Sequence, residues 1–192
     1  MKAYTILLGT GLLLAAGGPE YADACTRVVY EGTNRTVVTG RTMDWKEDPR
    51  SNLWIFPRGM ERNGQAGSNS LKWVSKYGSV ITSAYDICTT DGMNEKGLVA
   101  NLLWLAESEY PARDGRKPGL SVAAWTQYVL DNFATVDEAV EALAKDDFDV
   151  ASDLMPDGSR MATLHLSVSD AGGDNAIFEY IGGKLVVHHS KS

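Results

Sequence analysis

The stretch CTRVVYEGTNRTVVTGRTMDW, residues 25–45, predicts the unit on which the rest of the fold is built. Two runs rich in β-branched residues surround a turn-forming tripeptide, a pattern typical of a β-hairpin: residues 27–31, 32–34 and 35–39. With a three-residue loop, Glu31 faces Arg35 and, at the open end, Cys25 faces Arg41, whereas a two-residue loop shifts this register by one. The stretch therefore predicts a hairpin that places a cysteine beside an arginine.

Elsewhere the chain has the patterns of seven more strands and two helices. Turn-forming DG, EKG, AGGD and GG punctuate the predicted strands, which are residues 53–56, 71–74, 79–83, 98–103, 163–169, 176–181 and 184–188. Apolar residues at helical spacing and a capping box of Thr135 and Glu138 predict helices over 120–130 and 136–144. Residues 58–70 have the composition of a surface loop. A helix pair between two blocks of strands indicates the α+β class, with the helices packed on a sheet.

Residues 1–24 have the features of a secretory signal. Lys2 supplies a positive end, residues 5–16 form a mostly apolar run, and the tripeptide ADA directly before Cys25 suits a signal peptidase. The apolar run is short and interrupted by glycine, and no later stretch of the sequence approaches the roughly eighteen apolar residues of a membrane span. We therefore expect a soluble, periplasmic or secreted protein, whose mature chain covers residues 25–192.

The composition bounds the partners and the chemistry. The 192 residues carry a formal net charge of -7, which disfavours binding to nucleic acid and to anionic membrane surfaces. Cys25 and Cys88 are the only cysteines, and an oxidising compartment would permit a disulfide between them, although Cys88 is more typical of a small buried residue. His188 and His189 point to opposite faces of a predicted strand without an accompanying carboxylate or cysteine cluster, so we predict no metal site.

A cysteine that becomes residue one carries two reactive groups. The reference pKa of a thiol is about 8.5 and that of an α-amine about 7.7–8.0. The amine of Cys25 can accept the thiol proton directly or through water, so none of the chain's three histidines is required. Arg41 would place a permanent positive charge beside the sulfur, and Asp44 would hydrogen-bond the ammonium. Because positions 41 and 44 face opposite ways on a straight strand, a bend within GRTMDW is required to bring both to Cys25.

Three features together resemble the choloylglycine hydrolase family: Cys25, GRTMDW with Arg41 and Asp44, and DGMNEKGL at residues 91–98. The resemblance runs from Cys25 to the end of the chain. It implies the four-layer αββα sandwich of the N-terminal-nucleophile hydrolases, no cofactor, and cleavage of linear amides by the exposed cysteine. By this resemblance Cys25 is the nucleophile and, through its α-amine, the base, and Arg41 and Asp44 support it. The resemblance also implies that the backbone N–H of Trp104 helps to form the oxyanion hole and that the chain assembles as a tetramer.

Two departures from the family pattern refine this hypothesis. Conjugated bile acid hydrolases typically carry asparagine at the position of Trp104, while an aromatic residue there is closer to penicillin V acylases, particularly the Gram-negative branch that includes N-acyl homoserine lactone acylases. A Thr-Asn pair with an oxyanion-hole asparagine, and later an arginine, are expected beyond Ser192, where the chain stops. We therefore expect residues 25–192 to be the N-terminal part of a single domain, incomplete at its C-terminus. A missing oxyanion donor costs about a hundred- to thousandfold in rate.

These residues predict a hydrolase that forms a thioester with the acyl group, releases the amine and then hydrolyses the thioester. Met43, Trp45 and Trp104 lie close in sequence to the supposed site and are the candidates for an apolar acyl pocket, although aromatic residues are core residues by default. The expected substrate is a small amide with an apolar acyl group and a small polar amine. Phenoxyacetyl-penicillin is the first choice, and an N-acyl homoserine lactone or a conjugated bile acid is the second.

Simpler interpretations remain open for the same residues. Cys25 can be an incidental residue after the cleavage site. It can also be an acylated lipoprotein cysteine, although Ala22 and Asp23 fit that processing site poorly. The chain would then be a non-catalytic, lipid-anchored envelope protein that only binds an apolar ligand. Arg41 and Asp44 can be a solvated ion pair at a strand end. The segment DGMNEKGL can be a tight hairpin turn in which its two glycines supply unusual backbone angles.

Overall fold

The computed structural model describes residues 25–191, so the secretory signal predicted for residues 1–24 lies outside the described residues. Its strands are β1 (Arg27–Glu31), β2 (Val37–Arg41), β3 (Leu53–Phe56), β4 (Glu61–Asn63), β5 (Lys72–Val74), β6 (Ser79–Ala84), β7 (Cys88–Asn94), β8 (Val99–Trp104), β9 (Gly119–Ser121), β10 (Asp149–Ala151), β11 (Leu164–Ser169), β12 (Asn175–Ile181) and β13 (Lys184–Ser190). The helices are α1 (Val122–Asn132) and α2 (Val136–Leu143). Within these residues no helix has both the length and the apolar character needed to cross a membrane.

Seven of these strands form one antiparallel sheet in the order β13-β12-β11-β8-β7-β6-β3. Both helices pack on one face of this sheet, and the core lies between them and the strands. Trp125 and Leu130 of α1 and the paired residues Leu166 and Phe178 are fully buried there. Burying a leucine or phenylalanine side chain stabilises a fold by roughly 1.5–3 kcal/mol. The α+β class predicted from the sequence is confirmed.

The hairpin of β1 and β2 lies on the opposite face of the sheet. Arg27 Nε donates to Asn101 Oδ1 (2.7 Å) and Arg27 Nη2 donates to Ser169 Oγ (2.8 Å). Thr39 Oγ1 and Ser169 Oγ share a further hydrogen bond of 2.7 Å. Asn101 and Ser169 alternate with core residues along β8 and β11, so their side chains face away from the helices. These contacts fix the hairpin, and Cys25 at its open end, relative to the sheet.

The register of the hairpin differs from the predicted one by two positions. β1 and β2 pair Arg27 with Arg41, because the loop between the strands has five residues instead of three. Within this loop Asn34 and Arg35 both adopt a positive φ (60° and 58°). Glycine is the usual residue at such angles, so the sequence does not indicate them here. The predicted pairing of Cys25 with Arg41 is therefore wrong. A shift of two positions keeps each side chain on its face, so both residues still lie on one side of the hairpin.

All seven strands predicted downstream of the hairpin are present, with ends that move by at most two residues. Four further strands, β4, β7, β9 and β10, are not among the predicted ones, and β4 occupies part of the predicted loop at residues 58–70. The two short strands β9 and β10 pair in parallel beside α1. Their sequences are too short to show an alternating pattern, and only the tertiary pairing defines them.

Strand β7 shows why a polar segment can occupy the centre of a sheet. Its sequence CTTDGMN carries no apolar alternation, yet the buried Asn94 side chain donates to the carbonyls of Leu130 and Phe133 (2.8 Å each) and so ties β7 to α1. A Cβ at Gly92 would lie 2.6 Å from Leu130 Cδ1, so this glycine permits close packing of the helix. The prediction of an unusual backbone angle is wrong for Gly92 and is confirmed for Gly97, which has a positive φ of 84°.

Both predicted helices are present, and their caps explain where they begin. α1 begins two residues later than predicted, because β9 precedes it and the hydroxyl of Ser121 accepts a hydrogen bond from the N–H of Ala123 (3.1 Å). At α2, Thr135 Oγ1 accepts from the N–H of Glu138 (3.2 Å), which confirms the predicted cap. Because Ser121 also lines the cavity described next, α1 begins at that cavity.

Candidate active site

A cavity of about 310 Å³ lies where the open end of the hairpin meets the ends of β7 and β8 and the start of α1. Cys25 and Arg41 line it together with the predicted pocket residues Met43, Trp45 and Trp104. Alternate positions of an extended chain face the same side, which explains why positions 41, 43 and 45 meet at one wall. Further apolar lining comes from Leu102, Leu154, Met155, Ala162 and Leu164. Among the described residues no histidine takes part in this lining.

Arg41 is held firmly at the cavity wall. Its Nε lies 3.1 Å from Asp91 Oδ1, and its Nη2 donates to the carbonyl of Leu102 (2.7 Å). Asn101 Nδ2 also donates to Asp91 Oδ1 (2.8 Å), and Asn101 Oδ1 accepts from Arg27. Burial lowers the pKa of Arg27 to about 10, although the nearby charge of Asp91 acts in the opposite direction. The buried Nη1 of Arg41 has no hydrogen-bond partner within residues 25–191. This guanidinium therefore keeps a donor for a further acceptor.

The end of β8 directs backbone groups into the region of the cavity. The ladder between β7 and β8 stops at Asn101, while on the other side Leu105 donates its N–H to the carbonyl of Thr163 (2.9 Å). Neighbouring residues of an antiparallel strand direct their backbone groups to opposite sides. The N–H of Trp104 therefore points toward the β7 side, beyond the last paired residue. A backbone donor in this position is the kind of group from which oxyanion holes are built.

Two indole rings form an aromatic wall of the cavity. The ring centroids of Trp45 and Trp104 lie 5.5 Å apart with an interplanar angle of 43°. Trp45 Nε1 donates to the hydroxyl of Tyr85 (2.9 Å), which in turn donates to Glu47 Oε1 (2.9 Å). Because the indole N–H is satisfied, the orientation of Trp45 is fixed, and the wall offers a flat apolar surface to a ligand.

Asp44 is placed differently from the other predicted site residues. Its side chain is exposed, does not line the cavity and accepts a hydrogen bond from Thr42 Oγ1 (3.0 Å). Thr42 Oγ1 also accepts from the N–H of Thr26 (3.1 Å), so Asp44 reaches the backbone beside Cys25 only through this hydroxyl. The bend that would bring both Arg41 and Asp44 to the sulfur is not seen in the described part of the chain. The catalytic role of Asp44 stays a prediction.

Residues 25–192 match the model of the linear amide C–N hydrolases of the choloylglycine hydrolase family. The chain belongs to the choloylglycine hydrolase family. The resemblance carried by Cys25, GRTMDW and DGMNEKGL is thus confirmed.

Individual choloylglycine hydrolases cover the same part of the chain. The penicillin V acylase of Pectobacterium atrosepticum is 58% identical over an alignment of 184 residues, and the match covers 91% of this chain and 49% of that protein. The bile salt hydrolase/transferase of Clostridium perfringens is 30% identical over an alignment of 168 residues, and the match covers 85% of this chain and 50% of that protein. The structure of penicillin V acylase from Agrobacterium tumefaciens matches with a TM-score of 0.79 at 63% identity, over 85% of this chain and 49% of that one. The chain has the fold of these N-terminal-nucleophile hydrolases and spans about half their length.

Sequence reasoning missed two contributors to this choloylglycine hydrolase site. Asp91 stands in the motif DGMNEKGL, whose sequence indicates only family membership or a turn, yet its carboxylate is the ion-pair partner of Arg41. The loop at residues 152–162 closes one side of the cavity, and nothing in its composition distinguishes it from a surface turn. No local pattern links Asp91 of β7 to Arg41 of β2, so only the folded structure shows this pair.

Both cysteines are free thiols, so the disulfide that an oxidising compartment would permit is not formed. Cys88 belongs to β7 and also lines the cavity. Burial raises the pKa of the Cys88 thiol to about 12, and the carboxylates of Asp91 and Asp153 act in the same direction. A thiol of this kind is an inert lining group rather than a second nucleophile.

We expect a thiol-alkylating reagent to modify Cys25 and to spare Cys88. At pH 8 a thiol with a pKa of about 12 is a thiolate in only about one molecule in ten thousand, and the thiolate is the reactive form. Iodoacetamide treatment at pH 8 followed by intact-mass measurement should give one adduct, and the rate of Cys88 labelling should rise as the pH is raised. Cys25→Ser should remove the adduct, and Cys88→Ser should leave it unchanged. A second adduct on the folded protein at pH 8 would contradict this assignment.

The histidine pair has carboxylate neighbours, which corrects the expectation that none accompanies it. His189 Nε2 lies 2.9 Å from Asp174 Oδ1, and within residues 25–191 Asp137, Asp174 and His189 form a group whose ligand atoms lie within 4.8 Å of one another. The Lys191 ammonium lies 3.0 Å from Asp137 Oδ1, so a protein cation already neutralises one of these carboxylates. The group is separate from the cavity, and the absence of a metal site stays a prediction.

Proposed function

We propose that this protein is a periplasmic or secreted amide hydrolase that uses Cys25 as an N-terminal nucleophile. The observation that carries the proposal is the joint presence, at one apolar cavity, of the Cys25 thiol and the buried guanidinium of Arg41. The backbone N–H of Trp104 supports the same interpretation, because it points to the side on which the cavity lies.

The reaction would proceed in two steps. The α-amine of Cys25 takes the thiol proton, the sulfur attacks the amide carbon, and a negative charge develops on the carbonyl oxygen. The N–H of Trp104 stabilises that oxygen. The ammonium then returns the proton to the departing amine, which leaves an acyl thioester on Cys25. Water attacks the thioester with the α-amine as base, the carboxylic acid leaves, and the thiol is restored.

The cavity supports an acyl group that is apolar and partly flat. Trp45 and Trp104 provide an aromatic wall, and Met43 and Leu102 add aliphatic surface beside Cys25. A cavity of about 310 Å³ is of the size that small ligands occupy. A phenoxyacetyl group fits this description, and the strong identity to proteins named penicillin V acylase favours phenoxyacetyl-penicillin as the substrate. Identity to a bile salt hydrolase/transferase makes conjugated bile acids the second candidate class.

Amine release from phenoxyacetyl-penicillin tests this proposal. The protein recovered from its host is incubated with phenoxyacetyl-penicillin, and in parallel with glycine-conjugated bile acid, and free primary amine is measured with a fluorogenic reagent. We expect release from the penicillin at a higher kcat/KM. N-terminal sequencing of the same preparation should read a free cysteine, whereas a blocked start would support a lipid-anchored binding protein. Bound penicillin without amine release would overturn the enzymatic proposal.

A further inference from the structure

A short turn-back loop covers one side of the cavity. Residues 152–162 fold back on themselves, with the N–H of Met155 donating to the carbonyl of Arg160 (2.8 Å) and the N–H of Ala162 donating to that of Asp153 (2.8 Å). Leu154, Met155 and Pro156 of this loop face the cavity. The loop thereby brings Arg160, which is exposed, to the rim of the cavity.

Arg160 stacks on the aromatic wall. Its Cζ lies 4.1 Å from the ring centroid of Trp104 and 5.9 Å from that of Trp45. A guanidinium over the face of an indole is attracted by the negative face of the ring and is held in position without losing its outward-directed donors. The same two rings line the cavity beside Cys25. The cation therefore lies immediately outside the apolar space in which an acyl group would bind.

No carboxylate within residues 25–191 neutralises Arg160, since no ion pair or side-chain hydrogen bond joins it to an acid. The two acidic side chains of its own loop are already engaged. Asp157 pairs with Lys46 (3.4 Å) and accepts from Ser159, and Asp153 accepts from the hydroxyl of Ser121. The rim of the cavity consequently carries one positive charge that the protein leaves available to a ligand.

We propose that Arg160 is a specificity-determining residue that binds a carboxylate on the amine portion of the substrate. The inference rests on the proposed function and adds a requirement to it. An amide bound with its apolar acyl group in the cavity places the other side of the scissile bond at the rim, where the guanidinium of Arg160 lies over Trp104. A guanidinium binds a carboxylate through two parallel hydrogen bonds, which a neutral ester or lactone cannot reproduce.

A matched pair of ligands tests the inference. Phenoxyacetylglycine carries the carboxylate and its methyl ester does not, while the acyl group is the same. Dissociation constants are measured on the Cys25→Ala protein, so that hydrolysis is not needed for the result, and kcat/KM is measured separately with Cys25 intact. We expect the carboxylate to bind roughly tenfold more tightly than the ester, and this preference to weaken as salt is raised.

The variants isolate the charge of Arg160. Arg160→Gln should abolish the preference for the carboxylate and leave the affinity for the ester within about twofold, and Arg160→Lys should restore part of the preference. Arg116→Gln, an exposed arginine paired with Asp114, is the control and should change neither ligand. An equal loss of both ligands in Arg160→Gln would show that the residue only packs on Trp104, and this would overturn the inference. Equal binding of both ligands to unmodified Arg160 would overturn it as well. If the protein with Cys25 intact hydrolysed neither ligand, while Cys25→Ala still bound the carboxylate more tightly than the ester, the result would contradict the proposed function alone.

Discussion

Cys25→Ala should reduce amide hydrolysis to the uncatalysed background, with a loss in kcat on the order of 10⁴-fold or more. The substitution removes the only thiol at the cavity that the structure leaves reactive, because the pKa of the other lining thiol, Cys88, is raised to about 12. The acyl pocket and the α-amine stay in place, so substrate should still bind. Primary-amine release and the mass of the acylated protein are the two measurements.

Cys25→Ser separates the nucleophile from the rest of the site. A serine hydroxyl is a far weaker acid than a thiol, so we expect this variant to acylate much more slowly and to show no burst of amine. Cys88→Ser is the matched control, since it makes the same thiol-to-hydroxyl change at the other cysteine that lines the cavity and should retain the activity. If Cys25→Ser and Cys25→Ala both hydrolysed the substrate at the original rate, the sulfur would have no part in the chemistry. A thioester adduct of matching mass on the unmodified protein would identify Cys25 directly.

Local patterns in the sequence were sufficient for most of the fold. Apart from β7, the strands of the central sheet follow from alternation and glycine-rich turns, and α2 follows from the cap at Thr135, all of which act over a few residues. The hairpin register was missed because Asn34 and Arg35 take positive φ without a glycine to announce it. The register error did not change which side chains were expected at the site, because a shift of two positions leaves each side chain on the same face of the hairpin.

Strand β7 could not be predicted because its stability comes from partners far along the chain. Asn94 is buried only because the carbonyls of Leu130 and Phe133 at the end of α1 accept its amide hydrogens. Gly92 is required by the approach of Leu130 rather than by a turn. A local pattern carries no information on either contact, so the segment resembled a loop. The same reason explains why Asp91 was not recognised as the partner of Arg41.

The site residues that belong to one extended segment could be predicted from the sequence. Those that come from distant parts of the chain could not. Arg41, Met43 and Trp45 reach the cavity because alternate positions of one extended segment share a side. Trp104 reaches it from another strand, and only the family resemblance connected it to Cys25. Arg160 had no signal at all, because its position depends on a loop that folds back over the aromatic wall.

A single residue retained ahead of Cys25 should cost about a hundred- to ten-thousandfold in kcat, which is the usual contribution of a general base. The extra peptide bond converts the α-amine into an amide, which cannot accept the thiol proton at neutral pH. None of the chain's histidines within the described residues lines the cavity to take over this task. A protease-cleavable fusion ahead of residue 24 yields the extended chain, and the same fusion ahead of residue 25 yields the matched control. Both chains keep the same thiol, so equal activity of the two would show that the base is another group and would remove the basis of the N-terminal-nucleophile mechanism.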